Sequence, residues 1–171
     1  MTFAQQDANK EDDVSGTGHG LVDIFDPTAN TFTRLITGSA AGGTVDALDS
    51  PWGLALAPST FGPFGNDLLI GNFGNGEINA FNPTTGAFLG TLLDASNNPI
   101  VNPGLWGLAF GNANATFDPN ALYFTAGGAN EDTGVFGKIT VGASSVPEPA
   151  TFALLGVGLA GLGFSRRARK P

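Results

Sequence analysis

Short apolar segments with strand-like character run through most of the chain and are separated by turn signals. The first two, Leu21–Phe25 and Phe32–Ile36, flank residues 26–30 (DPTAN), where proline presets φ and the Asp and Asn side chains favour a turn. Two further segments follow at Gly53–Ala57 and Asp67–Asn72, and the second leads into a glycine-rich loop. The pattern predicts many short β-strands joined by tight turns.

The same apolar pattern occurs twice along the chain. Residues 22–32 (VDIFDPTANTF) resemble residues 78–88 (INAFNPTTGAF), 56 positions further on. Two more blocks recur 54 positions apart: WGLAL at 52–56 returns as WGLAF at 106–110, and NDLLI at 66–70 returns as NALYF at 120–124. Three blocks with nearly one spacing indicate a structural repeat.

Each repeat is interpreted as four short strands with Gly and aromatic punctuation, which is typical of a β-propeller blade. The predicted fold is therefore all-β: a partial β-propeller of about two and a half four-stranded blades in an open arc, plus one short C-terminal hydrophobic helix. The predicted domains are residues 1–143 and 144–171. Trp52 and Trp106 are expected to pack between blades, with ligand stacking as the alternative.

A closed propeller needs roughly four to eight blades. Either the chain is the C-terminal part of a longer protein or several copies assemble. Residues 1–13 lack a basic segment followed by an apolar one, the pattern of an export leader. Because the C-terminal segment described below predicts an exported protein, the missing leader favours the first alternative. The chain is then expected to be a fragment that lacks both its leader and its earlier blades.

Composition agrees with a turn-rich fold and excludes several chemistries. The 171 residues include 26 Gly, 11 Pro and no Cys, which excludes disulfides, thiol nucleophiles and cysteine-ligated metals. Charge divides the chain: residues 1–145 hold 3 basic and 14 acidic side chains, and residues 146–171 hold 4 basic and 1 acidic. A body with a net charge of −11 (3 − 14) repels phosphate backbones, so nucleic acid is not expected as a partner.

The C-terminal segment has three consecutive parts. Residues 146–149 read VPEP, an apolar run without polar side chains follows, and the chain ends in a basic cluster. From 150 to 165 the run would form a helix of roughly 24 Å, short of a full membrane span. The predicted anchor residues are Phe152, Leu154, Leu155, Val157, Leu159, Leu162 and Phe164, and the basic stop is Arg166, Arg167, Arg169 and Lys170. The cations would stay on the cytoplasmic side and place the acidic body outside.

This segment resembles the PEP-CTERM sorting signal of Gram-negative bacteria. The resemblance rests on Val146, Pro147, Glu148 and Pro149, followed in order by the apolar run and the arginine-rich end. It implies export, recognition of the Pro-Glu-Pro box by an exosortase, and removal of the anchor. It also implies a transient inner-membrane location with the body on the periplasmic side, and then the cell surface or the medium after processing.

The body resembles an uncharacterised propeller family that carries such tails and has blades related to NHL-type repeats. The matching stretches are residues 20–27, 50–55, 61–69 and 104–111. The family's leader and first blades have no counterpart here. The resemblance implies no particular activity.

Candidate chemistry is sparse. His19 lies in a glycine-rich segment and is expected to be a surface loop residue, so no catalytic residue and no cofactor are predicted. Asp7, Glu11 and Asp12 are weak candidates for a Ca²⁺ site, because Ca²⁺ prefers carboxylate oxygens. The downstream Gly and distal Glu of a calcium loop are missing, and a solvated acidic loop is the preferred interpretation.

The sequence favours an exported, non-enzymatic propeller that offers a rigid face to a polysaccharide, a protein or a small ligand. The alternative is a propeller enzyme of the lactonase or hydrolase kind whose catalytic blades are missing from this stretch. Channel chemistry needs acidic or histidine side chains converging from several blades. Strand segments such as Leu54–Leu56 and Leu68–Ile70 carry none.

Overall fold

A computed structural model describes residues 1–112 and 116–142, and Met1–Val141 form one compact unit. The strands are β1 (Thr2–Phe3), β2 (Leu21–Asp26), β3 (Thr31–Thr37), β4 (Pro51–Leu56), β5 (Leu68–Asn72), β6 (Ile78–Phe81), β7 (Phe88–Thr91), β8 (Leu105–Phe110), β9 (Ala121–Ala126) and β10 (Val135–Thr140). Two short 3₁₀ turns lie at Ser39–Ala41 and Gly62–Phe64. These strands form three antiparallel sheets: a front sheet β1-β2-β3, a central sheet β4-β5-β6-β7 and a rear sheet β8-β9-β10.

The all-β class is confirmed, but the predicted partial propeller of four-stranded blades with a C-terminal helix is wrong. The sheets are small and open, with three, four and three strands, and they do not close into a propeller. The expected grouping joined β2 and β3 to β4 and β5. Instead, β4 and β5 continue through tight hairpins into β6 and β7, whereas β2 and β3 pair with the N-terminal β1.

No α-helix occurs among the described residues. The helix predicted over Phe152–Phe164 lies outside those residues. Within residues 1–112 and 116–142, no helix is long and apolar enough to traverse a bilayer.

Strand alternation gives each sheet two faces. In the central sheet, Ile70 and Phe81 belong to the cluster shared with the front sheet, whereas Leu69, Ile78 and Ala80 belong to the cluster shared with the rear sheet. All five side chains are fully buried. At β5 and β6 the central sheet is therefore covered on both faces, while the front and rear sheets are each covered on one.

Two apolar clusters hold the sheets together. The cluster between the front and central sheets contains Val22, Ile36, Leu48, Ile70 and Phe81. The cluster between the central and rear sheets contains Ala55, Ala57, Phe61, Leu69, Ile78, Ala80, Leu92, Leu105, Leu122, Phe124 and Ala126. Burial of this apolar surface is the main stabilising contribution to the fold.

Residues 38–50 connect the front sheet to the central sheet and are fixed by two buried amides. The Ala47 carbonyl accepts hydrogen bonds from Asn72 Nδ2 at 3.0 Å and from Asn79 Nδ2 at 2.7 Å. Asn72 Oδ1 accepts from the Asp49 amide at 3.1 Å, and Asn79 Oδ1 accepts from Thr91 Oγ1 at 2.6 Å. Because buried polar groups need partners, these bonds hold the connection against the central sheet.

Candidate functional site

The residues predicted to carry sorting lie outside the described part of the chain. This applies to Val146–Pro149, to the anchor run over Phe152–Phe164 and to the basic cluster at 166–170. Their roles therefore remain predictions as far as geometry is concerned.

The weak metal candidates lie in a loop whose carboxylates bond to its own backbone. Asp7 Oδ1 accepts from the Glu11 amide at 3.0 Å, and Asp12 Oδ1 accepts from the Asp13 amide at 2.9 Å. The Asp7 amide in turn donates to the Asp12 carbonyl at 2.9 Å. Across residues 1–112 and 116–142, no group of three or more His, Cys, Asp or Glu side chains is arranged to hold a metal ion.

His19 is not the exposed loop residue that the sequence predicts. It is half-buried, and its carbonyl accepts from the Ser50 amide at 2.8 Å. A Cβ at Gly16 would lie 3.2 Å from His19 Cδ2, so the turn packs against the imidazole. Its Nδ1 is buried and has no hydrogen-bond partner among the described residues. These contacts give His19 a structural position in the turn.

The aromatic residue most open to solvent near a concave surface is Trp52, which the sequence places in the core. Its side chain is 51% exposed, so that prediction is wrong. The reason is the close approach of β4 to β8: a Cβ at Gly53 would lie 2.7 Å from the Trp106 carbonyl oxygen. The small residues Gly53 and Ala55 therefore face the neighbouring sheet, and the large residues of β4 face outward.

The outward side of β4 forms an apolar stripe of Trp52, Leu54 and Leu56, all exposed. Beside it lies an open groove of about 500 Å³, which we call the Trp52 groove. The groove is lined by Thr2, Phe3, Ala4, Gln6, Pro51 and Trp52. Thr2 Oγ1 donates to the Trp52 carbonyl at 2.6 Å and fixes β1 against β4.

A second concave surface borders Phe73, whose ring centroid lies 5.7 Å from that of Trp52. This cavity of about 360 Å³ is lined by Ser15, Phe73, Gly74, Asn75, Pro103, Gly104 and Ala129. Trp52 therefore lines the first depression, and its aromatic neighbour Phe73 lines the second. Such a surface suits contact with a ligand that has an apolar face, because Trp offers a large rigid area with a polar N–H.

The residues that line the two depressions include no titratable side chain. Asp94, on an exposed turn, has its pKa held below the usual value by hydrogen bonds from the Asn98 and Ser96 amides. It lines neither the Trp52 groove nor the second cavity. The surface at β4 is therefore aromatic and exposed, and its lining residues carry no titratable side chain.

Comparison with known proteins identifies the tail. Residues 145–170 match the PEP-CTERM protein-sorting motif. The chain carries an exosortase sorting signal. The motif is that of exported proteins that an exosortase recognises and processes, which agrees with the segment of Val146–Pro149, apolar run and basic end.

Three uncharacterised proteins of Acanthamoeba polyphaga mimivirus are similar to the chain. One is 33% identical over 140 residues, which is 81% of this chain and 32% of the viral protein. A second is 31% identical over 127 residues, 74% of this chain and 22% of that protein, and a third is 30% identical over 126 residues, 74% and 30% respectively. The chain thus spans about a third or less of these relatives.

No solved structure matches the chain. The resemblance of the body to NHL-type propellers is therefore unsupported.

Proposed function

We propose that this chain is an exported protein that an exosortase-type enzyme processes at the inner membrane, and that its body is a non-catalytic binding or structural module. The observation that carries the proposal is the match of residues 145–170 to the PEP-CTERM motif. The processed body would be displayed at the cell surface or released.

The physical chemistry of the tail supports a transient anchor. An apolar helix of about 16 residues would reach roughly 24 Å, less than the ~30 Å hydrocarbon core, so it would hold the membrane weakly. The four cations at 166–170 favour the cytoplasmic side. Because proline disfavours helix at its own position and at the preceding residue, the sequence predicts that residues 147–149 stay outside a helix and open to an enzyme.

The exposed side of β4 supports a binding role for the body. Trp52 is 51% exposed and lines the Trp52 groove, although tryptophan is highly buried on average. The ligand classes compatible with this surface are a polysaccharide, a protein or a small molecule with an apolar face. Contact with such a ligand requires neither a metal nor a catalytic carboxylate.

The sorting half of the proposal is tested by expressing the full chain behind a cleavable secretion leader. Matched hosts with and without an exosortase are compared, and the tail is followed by intact mass and by cell fractionation. With the enzyme, we expect loss of the C-terminal segment and release of the body. The triple variant Pro147→Ala, Glu148→Ala, Pro149→Ala should stay full-length in the membrane fraction.

The control variant carries Ser144→Ala alone, which lies next to the matched residues 145–170 and leaves them intact. It should be processed like the unaltered chain. Equal processing of the box variant, or shortening in the host without an exosortase, would contradict the proposal.

A further inference from the structure

The front sheet has one open face, and it is aromatic. Phe25 and Phe32 point away from the central sheet, with ring centroids 4.8 Å apart and exposures of 38% and 60%. Beside them Arg34 forms an ion pair with Asp23 through two of its nitrogens. This group of four residues is called the front face.

The internal repeat shows what covers a surface of this kind. Phe81 is the repeat equivalent of Phe25, and each ring contacts the Phe of the paired strand, Phe88 or Phe32. Yet Phe81 is fully buried, because Val22 and Ile36 of the front sheet lie against it. Where the described part of the chain covers this motif, the cover is the opposite face of a neighbouring sheet.

The rear sheet has the other open face. Its outward residues include Tyr123, Phe136 and Lys138, and the Tyr123 and Phe136 rings are stacked at 5.8 Å with 13° between their planes. Phe136 is 64% exposed. These three residues form the rear face.

The rear face also has buried equivalents in the central sheet. Leu69 precedes Tyr123 by the repeat spacing of 54 positions. The strand pairing extends this equivalence to the neighbouring strand. Ala80 pairs with Leu69 as Lys138 pairs with Tyr123, so Ala80 corresponds to Lys138. In the same way Ile78, which pairs with Gly71, corresponds to Phe136, which pairs with Thr125. Leu69, Ile78 and Ala80 are fully buried against the next sheet, so the rear face is where a further sheet would stack.

We propose that the front face of one chain docks on the rear face of a second copy of this chain. The contact continues, between copies, the face-to-face stacking that joins the three sheets within one copy. Charge does not oppose this pairing, because Asp23 and Arg34 of the front face neutralise each other and Lys138 is the sole charged residue of the rear-sheet strands. Such a contact is head-to-tail, because different surfaces of the two copies meet.

The test uses full chains that carry Phe32→Glu or Phe136→Glu, in a mild detergent that solubilises the apolar tail. Association is measured by sedimentation velocity over a concentration series. The double variant gives the baseline for any association through the tail. The control is Leu56→Glu, because Leu56 is 62% exposed and lies on the open side of β4, outside both faces.

We expect the unaltered chain and Leu56→Glu to associate, and each face variant to associate at least about tenfold more weakly. Mixing the two face variants should restore association that stops at a 1:1 complex, because one intact front face and one intact rear face remain. Circular dichroism checks that each variant is folded. The proposal is overturned if the unaltered chain matches the double-variant baseline, if Phe136→Glu alone still self-associates fully, or if Leu56→Glu weakens association as much as the face variants.

Discussion

The buried amide of Asn79 allows a sharp test of how the front and central sheets are held together. Its Nδ2 donates to the Ala47 carbonyl at 2.7 Å and its Oδ1 accepts from Thr91 Oγ1 at 2.6 Å. Asn79→Asp keeps the shape and the acceptor but replaces the donor by a second oxygen. An ionised carboxylate would then face the Ala47 carbonyl oxygen without a proton between them.

The magnitude follows from the buried position of Asn79. A buried charge without a partner costs about 3–5 kcal/mol of folding free energy. The same energy raises the pKa of the introduced carboxyl, because about 1.4 kcal/mol corresponds to one pKa unit. Once protonated, the carboxyl again donates to Ala47, and the remaining loss falls to about 1 kcal/mol or less. Since the folded-state pKa is raised, the penalty is absent below the unfolded-state pKa and grows as pH rises toward the folded-state value.

The assay is urea unfolding of the full chain, followed by tryptophan fluorescence, at about pH 7 and at about pH 4.5. Asn82→Asp is the matched control. Asn82 Oδ1 accepts from the Thr84 and Thr85 amides at 2.9 Å, and Asp26 makes the equivalent contacts in the first repeat. The control should change stability by less than about 0.5 kcal/mol at both pH values. Equal losses for the two variants, or a loss at Asn79 that does not shrink in acid, would refute the reasoning.

The exposure of Trp52 and the hydrogen bonds to the Asp94 carboxylate can each be tested by one measurement. Trp52→Ala should cost about 1–2 kcal/mol of unfolding free energy, because half of the side chain is already solvated. Phe81→Ala should cost about 3–5 kcal/mol, because Phe81 is fully buried. Similar losses in urea unfolding would place Trp52 in the core after all. In a carbon-detected NMR titration, the pKa of the Asp94 carboxyl should lie below that of an ordinary aspartate. Its contribution to stability is therefore present at neutral pH and is lost as pH falls through the lowered pKa. A pKa at or above the ordinary value would show that the Asn98 and Ser96 amides do not bond to the carboxylate in solution.

Local chemistry made the hairpins predictable. Asp26 and Asn82 each accept hydrogen bonds from two backbone amides in their turns. The two turns join β2 to β3 and β6 to β7. The repeat is equally visible, since Phe25 and Phe81 occupy matching positions in their sheets. The turns depend on residues within a few positions of one another, and the repeat is a pattern that can be read directly from the sequence.

The grouping of strands into sheets could not be predicted in the same way. It depends on which strand edges meet, such as Thr2 against Val22, twenty positions apart. A repeated pattern shows that units recur but not where one sheet ends. The connection over residues 38–50 is held by buried Leu48 and by hydrogen bonds from the Asn72 and Asn79 amides. The sequence does not show which residues these side chains contact, so the connection could not be predicted.

Trp52 is exposed because of the way β4 packs against the neighbouring sheet. In the sequence WGLAL, the large residues look like the core face and the small ones like filler. The structure reverses this, because β4 and β8 approach so closely that only Gly53 and Ala55 fit between the sheets. The alternation of small and large residues in β4 therefore indicates a close contact between strands on the face that carries Gly53 and Ala55.

Charge at repeat-equivalent positions indicates which faces one copy leaves uncovered. The central sheet has Asn79 and Ala80 where the front sheet has Asp23 and the rear sheet has Lys138. Because an unpaired buried charge is costly, the charged positions belong to faces that no sheet of the same copy covers. Those charges do not prevent docking: Asp23 is already paired with Arg34, and the long stem of Lys138 lets its ammonium reach the solvated rim of an interface. The open faces therefore combine exposed aromatic rings with charges that a second copy can cover without leaving one unpaired.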